Sequence, residues 1–70
     1  MEWVIVNYPR VRDVFVDGRR SGPTNLLLIV REGTQTVHLG TPVDYQPARR
    51  TLTVTGTSAA DPEMIKFEPV

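Results

Sequence analysis

The chain has 70 residues, of which eight are basic, eight acidic and none cysteine. A chain this short makes one domain, residues 1–70, burying about 60% of its unfolded surface and reaching a stability of a few kcal/mol. Balanced charge argues against a dedicated nucleic-acid or anionic-membrane binder, and the lack of cysteine removes disulfides, thiolate-ligated zinc and thiol catalysis together.

Valine, isoleucine and threonine supply 21 of the 70 residues, alanine only three. Branched side chains fit a pleated surface and lose rotamer freedom in helices, and no long segment repeats its apolar residues at a spacing of 3.6. The pattern predicts an all-β fold, a small sandwich or partly open barrel of five or six short strands.

Trp3 to Tyr8 is the first strand, ended by Pro9. Val11 to Val16 follows, and Asp17-Gly18 is the strongest hairpin signal in the chain. Arg19 to Gly22 returns beside it, with Val16 opposite Arg19 and Phe15 opposite Arg20. That register predicts a cation–π contact between Phe15 and Arg20. Leu26 to Val30 is apolar at five successive positions, so the strand from Asn25 to Val30 is expected to be buried on both faces. Glu32-Gly33 makes the next turn. Gln35 to Leu39 alternates, with Val37 and Leu39 inward and His38 on the other face. Gly40 to Ala48 reads as a loop. Thr51 to Thr55 alternates again, with Leu52 and Val54 on one face. Asp61-Pro62-Glu63 offers one helical turn, while Met64 to Phe67 offers a closing strand, the preferred reading.

The run Val14-Phe15-Val16-Asp17-Gly18, then Gly22, Thr24, the Leu-rich strand, Gly33 and Thr36-Val37-His38-Leu39 resembles the PEGA domain family. Asp44-Tyr45 and Leu52-Thr53-Val54 extend the likeness, which covers about residues 9 to 54. Pro9-Arg10-Val11-Arg12 stands where the family carries its naming tetrapeptide, and Thr24-Asn25 where it carries Thr-Pro. The resemblance implies a small transthyretin-like β-sandwich module of the kind attached to surface-layer proteins, kinases or other enzymes. It implies no catalytic constellation, and the residues it carries over are structural.

The chemistry-bearing residues are sparse. His38 is the only histidine, so no histidine pair binds a metal and no nucleophile–histidine arrangement is evident; it reads as a surface or half-buried structural residue. The eight carboxylates are scattered, without calcium-loop spacing. Neither a catalytic nor a metal or cofactor site is predicted, and the chain is read as a non-enzyme. Arginine makes up seven of the eight basic residues, with Arg10, Arg12, Arg19 and Arg20 gathered on the two arms of the hairpin. Such forks bind phosphate bidentately, which gives one alternative function, nucleic-acid or polyphosphate binding. The plainer reading is that they keep a sheet edge soluble. Tyr45, in the longest loop, either plugs the end of the sandwich or stacks on a sugar, the second alternative function. Plugging is favoured. Trp3 and Phe67 are the expected large core residues.

The leading expectation is therefore a non-catalytic protein-interaction or structural module. Its longest apolar run is too short to span a membrane, and Glu2 with four apolar residues behind it makes no secretory signal, so a cytoplasmic location is expected. Its partner is a protein or a second copy. Trp3, Val4, Ile5 and Val6 are apolar in succession, so whichever face turns inward leaves two large side chains outside. Either the C-terminal segment covers them or another copy does, and a homodimer through residues 3 to 8 is the expectation.

Overall fold

The computed structural model describes all 70 residues, which form strands and turns without any helix. In chain order the strands are β1 (Glu2–Asn7), β2 (Asp13–Val16), β3 (Arg19–Pro23), β4 (Leu27–Val30), β5 (Gly33–His38), β6 (Tyr45–Gln46), β7 (Arg50–Val54), β8 (Glu63–Lys66) and β9 (Glu68–Pro69). The fold is all-β, as the branched composition requires. Beyond the expected runs, the two-residue strands β6 and β9 pair with each other, and β6 lies inside the stretch read as a loop. Met64 to Phe67 contributes a strand rather than a helical turn.

Two sheets carry the architecture, one ordered β4-β1-β8 and the other β3-β2-β5-β7. Strand β1 pairs antiparallel with β4 and parallel with β8, so both of its edges are occupied. Thirteen buried residues form one core. Val4, Val6, Leu28, Val30 and Ile65 enter it from the first sheet, and Val14, Val16, Val37 and Val54 from the second. Tyr8, Leu39, Tyr45 and Phe67 complete it from the strand ends and loops.

Three sequence expectations change. Strand β4 is buried on one face only: Leu28 and Val30 point inward, while Leu27 and Ile29 stay 43% and 53% exposed. Trp3 is half-buried on the outer side of β1 rather than in the core, and Phe67 alone is the large aromatic expected there. The predicted register of the β2–β3 hairpin is present, Val16 opposite Arg19 and Phe15 opposite Arg20, but the predicted cation–π contact is not. Phe15 instead stacks on His38, its partner on β5, with ring centroids 5.1 Å apart and planes 4° from parallel. Arg20 pairs with Asp13 at 2.8 Å. An ion pair and a flat aromatic stack each satisfy a group that the single cation–π contact would have shared.

Asp17 and Gly18 form the hairpin turn with φ of 50° and 81°, the left-handed pair a two-residue turn needs to match strand twist. Gly22 has a second reason to lack a side chain. Its φ is 147°, and a Cβ there would lie 2.5 Å from Leu28 Cδ2, so β3 and β4 meet across the seam between the sheets at this point. Beside it, Thr24 and Asn25 fasten the β1–β2 connection. Thr24 Oγ1 accepts from Arg12 N and donates to Arg10 O, and the Asn25 amide bonds both the N–H and the carbonyl of Tyr8. Asn25 has a φ of 66°, which a proline ring cannot adopt.

Gly18→Val is expected to cost about 1–3 kcal/mol from backbone strain alone, since nothing lies within 4 Å of its absent Cβ. Gly22→Ala adds overpacking against Leu28 to the same strain and should cost about 2–5 kcal/mol. Urea denaturation of both variants checks the order, and a Gly22→Ala midpoint equal to the parent's would contradict the close seam.

Candidate functional site

The four clustered arginines do not make one surface. Arg10 and Arg12 precede β2, whereas Arg19 and Arg20 follow the turn at its far end. Adjacent residues of a strand face opposite ways, which separates Arg19 from Arg20 as well. Arg12 is committed to structure. Its Nη1 donates to Asp44 Oδ1 at 2.6 Å, its Nη2 donates to the carbonyls of Pro42 and Leu39 at 2.8 and 3.3 Å, and its guanidinium lies 5.2 Å from the centre of the Tyr45 ring. Arg10 rests over Tyr8 at 5.8 Å, Arg20 is paired with Asp13, and Arg19 has no ion pair. The geometry lends no support to a four-arginine polyanion patch.

Tyr45 is 3% exposed and offers no face to a sugar. Its ring meets Tyr8 and Phe67 edge-on at 6.4 and 5.6 Å. Its hydroxyl donates to Gly40 O at 2.7 Å and accepts from Leu39 N at 3.2 Å. The tyrosine closes the end of the core, and Arg12 locks the loop over it. His38 is half-buried and its Nδ1 accepts from Gly40 N at 3.0 Å, a structural role.

The apolar outer face of β4-β1-β8 is the feature without a structural explanation. Of the residues proposed for self-association, Val4 and Val6 are 1% and 0% exposed and belong to the core, and strand-edge pairing through β1 is closed because both its edges are taken. Trp3 and Ile5 point outward. Register places Ile29 beside Trp3, and Leu27 and Met64 on either side of Ile5. Met64 is 53% exposed. The C-terminal strand thus lies beside β1 and not over it, and it enlarges the outer face. Charge sits only at the ends of this surface, Arg31 beyond Ile29 and Lys66 beyond Met64.

The other sheet treats its outer face differently. Thr34 pairs with Thr53 and Thr36 with Thr51, and their hydroxyls bond across the strands at 2.9 and 3.1 Å. One sheet presents a threonine ladder to water; the other presents five apolar side chains. Sequence reasoning found Trp3 and Ile5 but missed Leu27, Ile29 and Met64. A run apolar at every position looks the same whether one face or both are covered.

Comparison with known protein families, with curated proteins and with solved structures gave no match, and the functional reading rests on this geometry.

Two carboxylates tie distant parts of the chain together. The Thr57 hydroxyl and backbone N–H hold Glu2 below its ordinary 4.5, and the hydrogen bond from Arg12 holds Asp44 below its ordinary 3.8. Each contribution is present above the ordinary value and is lost as pH falls through the lower folded-state one. Urea midpoints are therefore expected to fall as pH drops below the ordinary carboxylate range. Asp44→Asn should be less stable than the parent at neutral pH and lose less on acidification. Parallel pH profiles for the two proteins would contradict the Arg12 clamp.

Proposed function

We propose that the chain is a non-catalytic association module that pairs with a second copy of itself across the outer face of β4-β1-β8. The observation that carries this reading is the set of five apolar side chains on the outer face of the sheet, Leu27, Ile29 and Met64 exposed and Trp3 and Ile5 partly so. Contiguous exposed apolar surface rimmed by charge marks an interaction site. A partner must bring a matching apolar surface without burying an unpaired charge, and the same face on a second copy does so. Ile5, on the central strand between Leu27 and Met64, is the natural centre of a two-fold contact.

Face-to-face packing of sheets is already how this chain builds its own interior, and the dimer repeats it once more. Three short strands offer less than the roughly 800 Å² per partner of a standard interface, so the dimer is weak, with a Kd of roughly micromolar order. The PEGA resemblance supports the same class of role, since those modules carry no catalytic constellation.

Sedimentation velocity from micromolar to millimolar protein tests the proposal. The 7.9 kDa chain should shift toward twice its mass, whereas Ile29→Lys and Met64→Lys should remain monomeric with unchanged urea midpoints. Both positions are 53% exposed, so neither change disturbs the core. A single monomer at every concentration, or a dimer indifferent to both substitutions, would refute it.

A further inference from the structure

The seam between the sheets on the β3–β4 side is shut at one end and open at the other. At Gly22 the strands touch, with room for no Cβ beside Leu28. Toward Arg19 on β3 and Arg31 after β4 they part, leaving a cleft of about 390 Å³. That volume lies within the range of small-molecule sites. Val16, Ile29 and Val30 give the cleft an apolar wall, and Arg19 and Arg31 contribute its two cationic side chains. Neither arginine takes part in any ion pair of the chain.

We infer that this cleft binds a small phosphomonoester, its phosphate held by Arg19 and Arg31 and its apolar group laid against Val16 and Val30. A phosphomonoester carries about −1.5 to −2 charges at neutral pH. Two free guanidinium groups match that charge, whereas a carboxylate would satisfy only one of them. The one acid in the lining, Asp17, is occupied: its Oδ1 accepts the Thr36 N–H at 2.9 Å. Two arginines against one aspartate leave the lining side chains a net positive charge. The segment bearing Arg31 is also held in place, because Gln35 Nε2 donates to the Arg31 carbonyl. A buried Gln35 thus fixes the backbone from which one of the two cations extends. The hairpin turn does the same for the other, since Asp17 and Gly18 set where Arg19 leaves the sheet.

The pairing of Arg19 with Arg31 is absent from the sequence cluster of four arginines. It arises because β3 and β4, on different sheets, are edge strands on the same side of the core.

Titration of the ¹⁵N-labelled chain with phenyl phosphate, inorganic phosphate and benzoate, followed by amide chemical shifts, tests the assignment. Phenyl phosphate is expected to bind at least several-fold more tightly than either of the others, with the largest shifts at Val16, Ser21, Val30 and Gln35. Arg19→Met and Arg31→Met should each weaken it about tenfold, and Arg49→Met, outside the cleft, should leave it unchanged. All three are exposed, so the variants should keep the parent spectrum elsewhere. An alanine-flanked phosphotyrosine tripeptide is expected to bind no more tightly than phenyl phosphate. Binding of the tripeptide alone would overturn the assignment to a small ligand. Shifts centred on other arginines, affinities indifferent to Arg19→Met and Arg31→Met, or no shift with phenyl phosphate at millimolar concentration would overturn the site.

Discussion

A sheet of three strands with apolar side chains on both faces needs cover on both sides, and a chain of this length supplies it on only one. Strand β1 is the centre of that problem. Val4 and Val6 face the core, Trp3 and Ile5 face away from it, and β4 and β8 repeat the same division with Leu28 and Ile65 against Leu27, Ile29 and Met64. The second sheet escapes the difficulty by placing hydrogen-bonded threonines on its outer side. The contrast between the two outer faces is what the functional proposal draws upon. Hydrophobic stabilisation scales with apolar area removed from water, and here part of that area remains to be removed.

The end of the molecule opposite the hairpin turn is held by polar groups. Arg12 gathers Asp44, Pro42 and Leu39 into one hydrogen-bonded cap and lies over Tyr45, while Thr24 and Asn25 tie the β1–β2 connection to the start of β4. These bonds give the loops fixed shapes without extra apolar residues, which suits a core of only thirteen side chains. They also withdraw Arg12 and Tyr45 from recognition. Arg19 and Arg31, neither of them in an ion pair, stand beside apolar surface at the open end of the seam.

Local signals in the sequence were legible in proportion to how local their physics is. The Asp17-Gly18 turn, the hairpin register and the inward positions of β5 and β7 depend on residues a few places apart, and alternation or turn chemistry exposes them. The parallel pairing of β1 with β8 joins the two ends of the chain, and no short-range pattern records it. Leu26 to Val30 misled for a physical reason: uniform apolarity removes the parity that would show which face is outside. Arg12 misled in another way, because its partners lie far along the chain and a guanidinium committed to carbonyls looks in sequence like one that is free. The size of Trp3 points to the core, yet its place on the strand puts it with Ile5 on the outer face. Parity outranks bulk.

The most direct test places mass and local environment in one experiment: Trp3 emission recorded alongside light scattering as the protein is concentrated. Trp3 is the sole tryptophan and stands at one end of the apolar face, partly exposed in the single chain. The account predicts a blue shift in emission that rises in step with the doubling of mass, because the second copy removes water from Trp3. A doubling of mass with unchanged emission would show association through another surface, and constant mass and emission throughout would show that the face has no self-partner. Either result would contradict the central claim.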